Sequence, residues 1–359
     1  MSVIVPARNE EACLGACLAS LTTQAGLDLQ IIVVDDSSTD HTREIAESFP
    51  SVRVVDAGAP PPNWTGKNNA VAAGVRAAQG EWLLFTDADT VHLPGSLSRA
   101  LAEAQQRGAA MLSYSPEQVV HGLWEKAVMP VIFAELASTF RPSQISDPAS
   151  PAAAANGQYI LISRDAYDAV GGHSAVSASL LEDVALARAV KASGRRIFFR
   201  YGGDAVRTRM YRSFAQLREG WTKNLALLFP SPVRLAMLRL TEFVLIAGGI
   251  LAAVAAGIRG HGRPALVATV LAVSVYIFFL GRIRRAHFGG DATVLSLLGL
   301  PVFSYLLLRS RLSHKQGSVR WKGRTYGGGA PNQHGLSGRS QVATAASGCP
   351  AEHGPARIS

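Results

Sequence analysis

"EWLLFTDADTVHLPG" (residues 81–95) runs an apolar strand straight into two carboxylates, Asp87 and Asp89, with a single alanine between them. Strand alternation puts both acids on one face, where each makes ionising the other harder unless a cation or a donor lies between them. Two chemistries suit such a pair. Either a metal ion is shared, or one aspartate is a nucleophile and the other an acid.

What precedes this strand bears on the choice. "SVIVPA" (2–7), "LQIIVVDD" (29–36) and "VRVVDA" (52–57) read as buried strands. Between them "NEEACLGACLASL" places Leu14, Cys17, Leu18 and Leu21 at helical spacing, and "SSTDHTREIAESF" opens with capping residues. After the turn-rich "GAPPPNWTG", "KNNAVAAGVRAAQG" reads as a helix closed by Gly80. Strands and helices alternating in this way specify an α/β fold with a mainly parallel sheet covered on both faces. Ligands on such sheets bind beyond the carboxyl ends of the strands. Those ends carry Arg8, Asn9 and Glu10, then Asp35 and Asp36, then Asp87 and Asp89. Taken singly, Asn9 or Asp40 reads equally as a helix cap and Asp35 as a turn opener. Three strand ends converging on one edge point to a site.

The chain has 359 residues, 48% hydrophobic and 17% charged, which suffices for a large core and two domains. Its mean hydropathy, +0.16, is high for a wholly soluble enzyme, and the excess is local. "FVLIAGGILAAVAAGI" (243–258) and "ALVATVLAVSVYIFFLG" (265–281) carry no charge. At about 1.5 Å per residue such runs approach the roughly 30 Å of a bilayer's hydrocarbon core. Both read as transmembrane helices. "ATVLSLLGLPVFSYLLL" (292–308) contains Gly299 and Pro301 and reads as a kinked, re-entrant or interfacial piece or equally as a kinked third span, with two full spans plus a re-entrant third as the favoured expectation. The opening "MSVIVPARNE" lacks a secretory signal's basic start and apolar core, so a cytoplasmic first domain and a multi-pass plasma-membrane protein are expected.

The net charge of +9 is concentrated beside these apolar runs, in Arg234, Arg239, Arg282, Arg284, Arg285, Arg309, Arg311 and Lys315. That arrangement suits lipid headgroups and the positive-inside rule, and argues against nucleic acid as a partner. Arg259 and Arg263, between the first two spans, oppose a clean orientation. Cys13 and Cys17, four apart on a helix, suit core packing. Residues 121–140 read as an apolar helix kinked by Pro130, and 141–157 as a loop. "GQYILIS" and "RRIFFRYGG" read as strands around two helices, one opening with "LLEDVALARAV". Beyond Tyr326 the glycine-rich polar tail (327–359) is expected to be disordered.

"SVIVPARNE", "VVDDSSTD", "WTGKNNA", "FTDADT", "LLEDVALARAV" and "WKGRTY", in this order, resemble a family 2 glycosyltransferase of the GT-A fold, membrane-attached and similar to enzymes that glycosylate carotenoids and hopanoids. The resemblance implies a cytoplasmic GT-A catalytic domain over 1–230, a membrane region of two or three helices over 231–312, and a C-terminal Trp-Lys-Gly-Arg-x-Tyr segment over 313–326. It implies a nucleotide-sugar donor, a UDP-sugar above all, a lipid acceptor in the bilayer, and Mg²⁺ or Mn²⁺ offsetting the diphosphate's charge.

By the same resemblance Asp89 would touch the metal and Asp87 the metal shell or ribose. Pro6, Arg8, Glu10, Asp35 and Asp36 would hold the nucleoside and Lys67 the phosphate. Asp183, with Glu182 beside it, matches the base that activates the acceptor hydroxyl for inverting transfer of a hexose, glucose above all; alone, the pair also reads as an acidic helix start. "QLREGWTKN" (216–224) departs from the Gln-x-x-Arg-Trp of processive relatives by interposing Glu219 and Gly220, which weighs against the alternative of a processive polysaccharide synthase. Trp221 would stack on sugar or acceptor, or else anchor at the interface. The other alternative is a haloacid-dehalogenase-like phosphatase with Asp87 as nucleophile. If Trp321, Lys322 and Arg324 reach the active site, the number of membrane crossings must be even.

Overall fold

A computed structural model describes residues 1–326; the expected disordered tail lies outside the described residues. The first half runs β1 (Ser2–Ala7), α1 (Leu14–Thr22), β2 (Gln30–Asp35), α2 (Thr42–Glu47), β3 (Val52–Asp56), α3 (Gly66–Ala77), β4 (Trp82–Phe85), β5 (Thr90–His92), α4 (Ser96–Gln106), β6 (Met111–Ser115) and β7 (Glu117–Gln118). There follow α5 (Leu123–Thr139), α6 (Pro142–Ser146), β8 (Ile160–Ser163), α7 (Arg164–Ala169), α8 (Gly172–Ala175), α9 (Glu182–Ala192), β9 (Ile197–Tyr201), β10 (Val206–Thr208) and α10 (Phe214–Leu228). The chain continues through α11 (Pro232–Ile258), α12 (Gly262–Ile283), α13 (Gly290–Lys315), β11 (Val319–Trp321) and β12 (Arg324–Tyr326).

The main sheet has the order β3-β2-β1-β4-β8-β6-β9. It is parallel from β3 to β4, and β8 runs antiparallel to both its neighbours. Alternate residues of each strand feed two cores, as a sheet buried on both faces requires. Ile4, Ile32, Val34 and Leu83 pack under α3 and α9, while Val3, Val5, Val33 and Leu84 pack under α1 and α4. Beyond the carboxyl ends stands a small sheet, β5-β10-β7.

Two helix boundaries differ from expectation. α1 starts at Leu14, because the residues before it are used by a loop: Asn9 adopts a left-handed conformation (φ 53°) and accepts from the Thr39 backbone N–H at 2.8 Å, so it is not a helix cap. α3 ends at Ala77, ahead of Gly80. The stretch expected to be loop after residue 140 begins with the short α6.

A third core gathers α5, α10, α11, α12 and α13 around Val128, Ile132, Trp221, Ile246, Phe279 and Phe303. α11 and α12 form a hairpin whose outer half is bare, with Val244, Leu251, Ile258, Leu271 and Phe278 exposed. Three helices, α11, α12 with its 3-10 extension to Ala286, and α13, are long and apolar enough to cross a membrane. α13 corrects the expected re-entrant segment: it is one helix of 26 residues that continues through Gly299 and Pro301 and never reverses. In the apolar stretch of α13 44% of the residues are buried, against 6% and 11% in those of the first two. Gly299 is where α13 crosses α5, since a Cβ there would fall 1.9 Å from the Ala127 carbonyl oxygen.

Candidate active site

The strand ends converge as their polarity requires. One cavity of about 930 Å³ is lined by Pro6, Arg8 and Glu10 after β1, Asp36 after β2, Lys67 at the start of α3, Asp87 and Asp89 after β4, Glu182 and Asp183 at the start of α9, and Trp221 on α10. Asp35 is the exception among the expected residues and does not line it. Its Oδ1 accepts from the Ser38 backbone N–H at 3.1 Å, the turn-opening role that a buried aspartate at a strand end can take. Trp221 is 3% exposed between Tyr211 and Phe133, which excludes the interfacial-anchor reading.

Asp89 is half-buried with its Oδ1 fully shielded, and that burial, with Asp87 and Glu10 adding repulsion, raises its pKa to about 7. Its Oδ1 has no hydrogen-bond partner. A buried carboxylate oxygen without a donor, facing a second carboxylate, is the arrangement a divalent cation relieves. Among the described residues no group of three or more His, Cys, Asp or Glu forms a ready metal cage. Mg²⁺ or Mn²⁺ beside a diphosphate needs none, because it retains waters and takes phosphate oxygens with one or two carboxylates. Asp89 and Asp87 fit such an ion. Behind them Thr86, Thr90 and His92 form a buried hydrogen-bonded group, and burial holds His92 neutral, its pKa down to about 3.

Lys67 bridges the two acidic clusters, with Nζ 2.9 Å from both Asp87 Oδ1 and Glu182 Oε1. Burial works against its charge, but Asp87 and Glu182 hold it protonated, with its pKa well above the ordinary lysine value. Glu182 is lowered in turn, its burial outweighed by Lys67. Asp183 is raised to about 6 by burial and by Glu182. Its Oδ2 accepts from Gly157 N at 2.9 Å and its Oδ1 from Val184 N at 2.8 Å, which fixes the carboxylate in place.

The wall next to these acids is apolar, formed by Phe133 and Leu136 from α5, Phe140 just after it and Leu228 from α10. Arg285 and His287, which follow α12, also line the cavity, and His287 stacks on Tyr201 with ring centroids 4.2 Å apart.

Trp321, Lys322 and Arg324 do reach the site. Lys322 pairs with Glu10, and Arg324 pairs with Asp36 through two hydrogen bonds, one of them 2.9 Å long. Sequence reasoning passed over Lys223, which lines the cavity half-buried, with its Nζ 5.0 Å from the Trp321 ring centre and its pKa lowered by burial. Its one signal was its position two residues after Trp221, on a stretch of helix already singled out.

A mainly parallel sheet with paired acids beyond β4 and an acidic helix start facing them is the GT-A architecture of glycosyltransferases. Residues 2–171 match the family model "Glycosyl transferase family 2", so the chain carries a catalytic domain of that family and is a glycosyltransferase. This sets aside the phosphatase alternative for Asp87. Over 337 residues the chain is 28% identical to the 4,4'-diaponeurosporenoate glycosyltransferase of Staphylococcus aureus (strain USA300), covering 91% of this chain and 88% of the relative. Among solved structures, a mannosyltransferase from Pyrobaculum calidifontis in complex with GDP-Man and Mn²⁺ is 17% identical with a TM-score of 0.49, covering 87% of this chain and 86% of that one. Glucosyl-3-phosphoglycerate synthase from Mycobacterium tuberculosis, in complex with Mn²⁺, UDP and phosphoglyceric acid, is 22% identical with a TM-score of 0.42, covering 63% of this chain and 76% of that one.

Proposed function

We propose that this enzyme transfers a hexose from a nucleotide sugar, a UDP-sugar above all, to a long apolar acceptor drawn from the bilayer, with inversion at the anomeric carbon. The observation that carries the reading is the two-sided cavity. Acids suited to a nucleotide and a cation occupy one end, and an apolar wall from α5 and α10, helices packed on the membrane region, forms the other. The relative named for 4,4'-diaponeurosporenoate supports an acceptor of the carotenoid class.

Asp89 and Asp87 would hold Mg²⁺ or Mn²⁺, whose charge offsets that of the departing diphosphate. Pro6, Arg8, Glu10 and Asp36 would border the nucleoside. Lys67 neutralises Asp87 and Glu182 and sits at the start of α3, where phosphate is favoured. The acceptor hydroxyl gives its proton to the Asp183 carboxylate as its oxygen bonds to the anomeric carbon, and the bond from that carbon to the diphosphate breaks with its electron pair on the leaving oxygen.

The membrane arrangement we propose has two crossings. α11 and α12 form the crossing hairpin, and α13 lies in the interface beneath the catalytic domain. The segment just before α13 stacks His287 on Tyr201, and near its end His314 bonds the Lys223 carbonyl oxygen at 2.8 Å. Both contacts belong to the catalytic side, which we assign to the cytoplasm. The test is purified protein in nanodiscs with radiolabelled UDP-glucose, Mn²⁺ and an extract of carotenoid and hopanoid lipids. A lipid heavier by one hexose, and loss of label transfer in EDTA, are expected. Phosphate release without transfer, or transfer undiminished in EDTA, overturns the reading.

A further inference from the structure

The C-terminal hairpin brings cations where the donor site has acids. β11 and β12 are three residues each and pair through a two-residue turn, Lys322 (φ 45°) and Gly323 (φ 76°), both in the left-handed region that such tight turns demand. A hairpin of this size has little stability of its own, so its position rests on its contacts. Trp321 packs against the core that contains α10, and the Lys322 backbone N–H donates to Glu219 at 3.2 Å. The remaining contacts reach the strand ends. Lys322 Nζ pairs with Glu10 and donates to the Arg8 carbonyl oxygen at 3.0 Å, the Lys322 carbonyl oxygen accepts from Arg8 Nε at 3.2 Å, and Arg324 pairs with Asp36.

The seat of Arg324 is electrostatically mismatched in one respect. Its guanidinium lies against Gly66, the first residue of the twelve-residue α3, where a Cβ would fall 1.5 Å from Nη1. A helix start favours an anion, and here it faces a cation held by a carboxylate from another strand. A phosphate group placed between them would suit both. Two of the cavity's cations are already committed, Lys67 to Asp87 and Glu182 and Arg209 to Glu125, which leaves others, Lys223 and Arg285 among them, along its wall. A diphosphate entering a pocket lined by Glu10, Asp36, Asp87 and Asp89 meets repulsion that a cation at Asp89 offsets only in part.

Resting on the nucleotide-sugar reading above, we propose that the Lys322–Arg324 turn is a two-position latch, paired with Glu10 and Asp36 in one position and with the donor's diphosphate in the other. Seating the nucleoside against Glu10 and Asp36 releases the two cations, and the diphosphate receives them. The hairpin then closes over the donor from the side opposite α3. A nucleoside without phosphates breaks the same ion pairs and offers the cations nothing in return, so the latch favours a complete donor over its fragments.

The experiment measures UDP and uridine binding by calorimetry, in Mn²⁺ buffer, to the full chain in nanodiscs and to its Lys322→Ala, Arg324→Ala and Gly323→Val variants. Gly323→Val retains both cations but disfavours the turn. UDP affinity should fall at least about tenfold in each variant, the factor that one charge-assisted hydrogen bond carries, while uridine affinity stays constant or rises. Lys322→Arg should retain most of the UDP affinity. Equal loss of UDP and uridine affinity, or no change in either, overturns the latch while leaving the donor reading standing. If the unmodified protein binds neither UDP nor other nucleoside diphosphates, the donor reading falls and takes the latch with it.

Discussion

Asp183 has both carboxylate oxygens bonded to backbone N–H groups, and burial with Glu182 beside it brings its pKa to about 6. A base must be ionised to accept a proton, so transfer should rise as pH increases through about 6 and level off above it. Asp183→Asn preserves shape and one of the two accepting oxygens but cannot take the proton. Its transfer rate should fall by about 10²–10⁴-fold with UDP binding retained, as radiolabelled-sugar transfer and calorimetry would register. Asp89→Ala should do the reverse, abolishing the Mn²⁺-dependent part of UDP binding. These acids were legible in the sequence because a buried strand ending in charge, or a helix starting with two acids, is a local pattern. The failure of Asp35 was also local, since two adjacent acids at a strand end cannot both face the cleft, and only the turn geometry decides which one does. The partners of Lys322 and Arg324 lie hundreds of residues away in the chain, and no local pattern indicates which acids they would meet.

Gly299 shows the same division at the level of elements. Within the sequence it weakens a helix, and beside Pro301 it suggested a break. In the fold it lets α13 approach the α5 backbone at Ala127, and the gain in packing outweighs the poor helix propensity. Because the obstacle is main chain, Gly299→Val cannot be absorbed by a rotamer change. It should destabilise the protein by about 1–3 kcal/mol, read as a lower thermal midpoint in detergent, whereas the same substitution at Gly257, which has open space around it, should leave the midpoint nearly unchanged. Glu135 on α5, Arg239 and Glu242 on α11 and Arg282 on α12 form a second junction, with ion-pair distances of 2.7 to 3.1 Å and every side chain largely buried. Removing one member strands a charge, so Arg282→Leu should cost about 3–5 kcal/mol, while replacing Glu242 and Arg282 together by leucines should cost less than the sum of the two single changes. Thermal unfolding of the three variants would separate these outcomes. The apolar runs foretold the helices, but the pairing of charges at their ends depends on tertiary placement.

At the scale of the molecule, the order of the strands and the edge where ligands bind followed from alternation and charge, because a sheet buried on both faces leaves only its strand ends free for polar work. The course of the chain in the membrane was less legible, since hydropathy records length and polarity but not what a helix packs against. α13 is apolar enough to cross, yet the contacts of His287 and His314 tie both its ends to the catalytic domain. In the proposed arrangement α11 and α12 cross and the turn at Arg259–Arg263 lies on the far side. The near side carries the larger share of the basic residues that flank these helices, in Arg234, Arg284, Arg285, Arg309, Arg311 and Lys315, which under the positive-inside rule supports the proposed cytoplasmic placement despite Arg259 and Arg263. In intact cells a membrane-impermeant maleimide should therefore label His261→Cys. It should spare Ser318→Cys, beside the C-terminal hairpin, until the membrane is opened. With the third cysteine removed by Cys349→Ser in every variant, Cys13 and Cys17 should give no background, because burial raises both thiols, Cys17 to about 12, and leaves little thiolate to react. Labelling of Ser318→Cys from outside would mean that α13 crosses; the hairpin could not then meet Glu10 and Asp36, and the two-crossing arrangement would be lost.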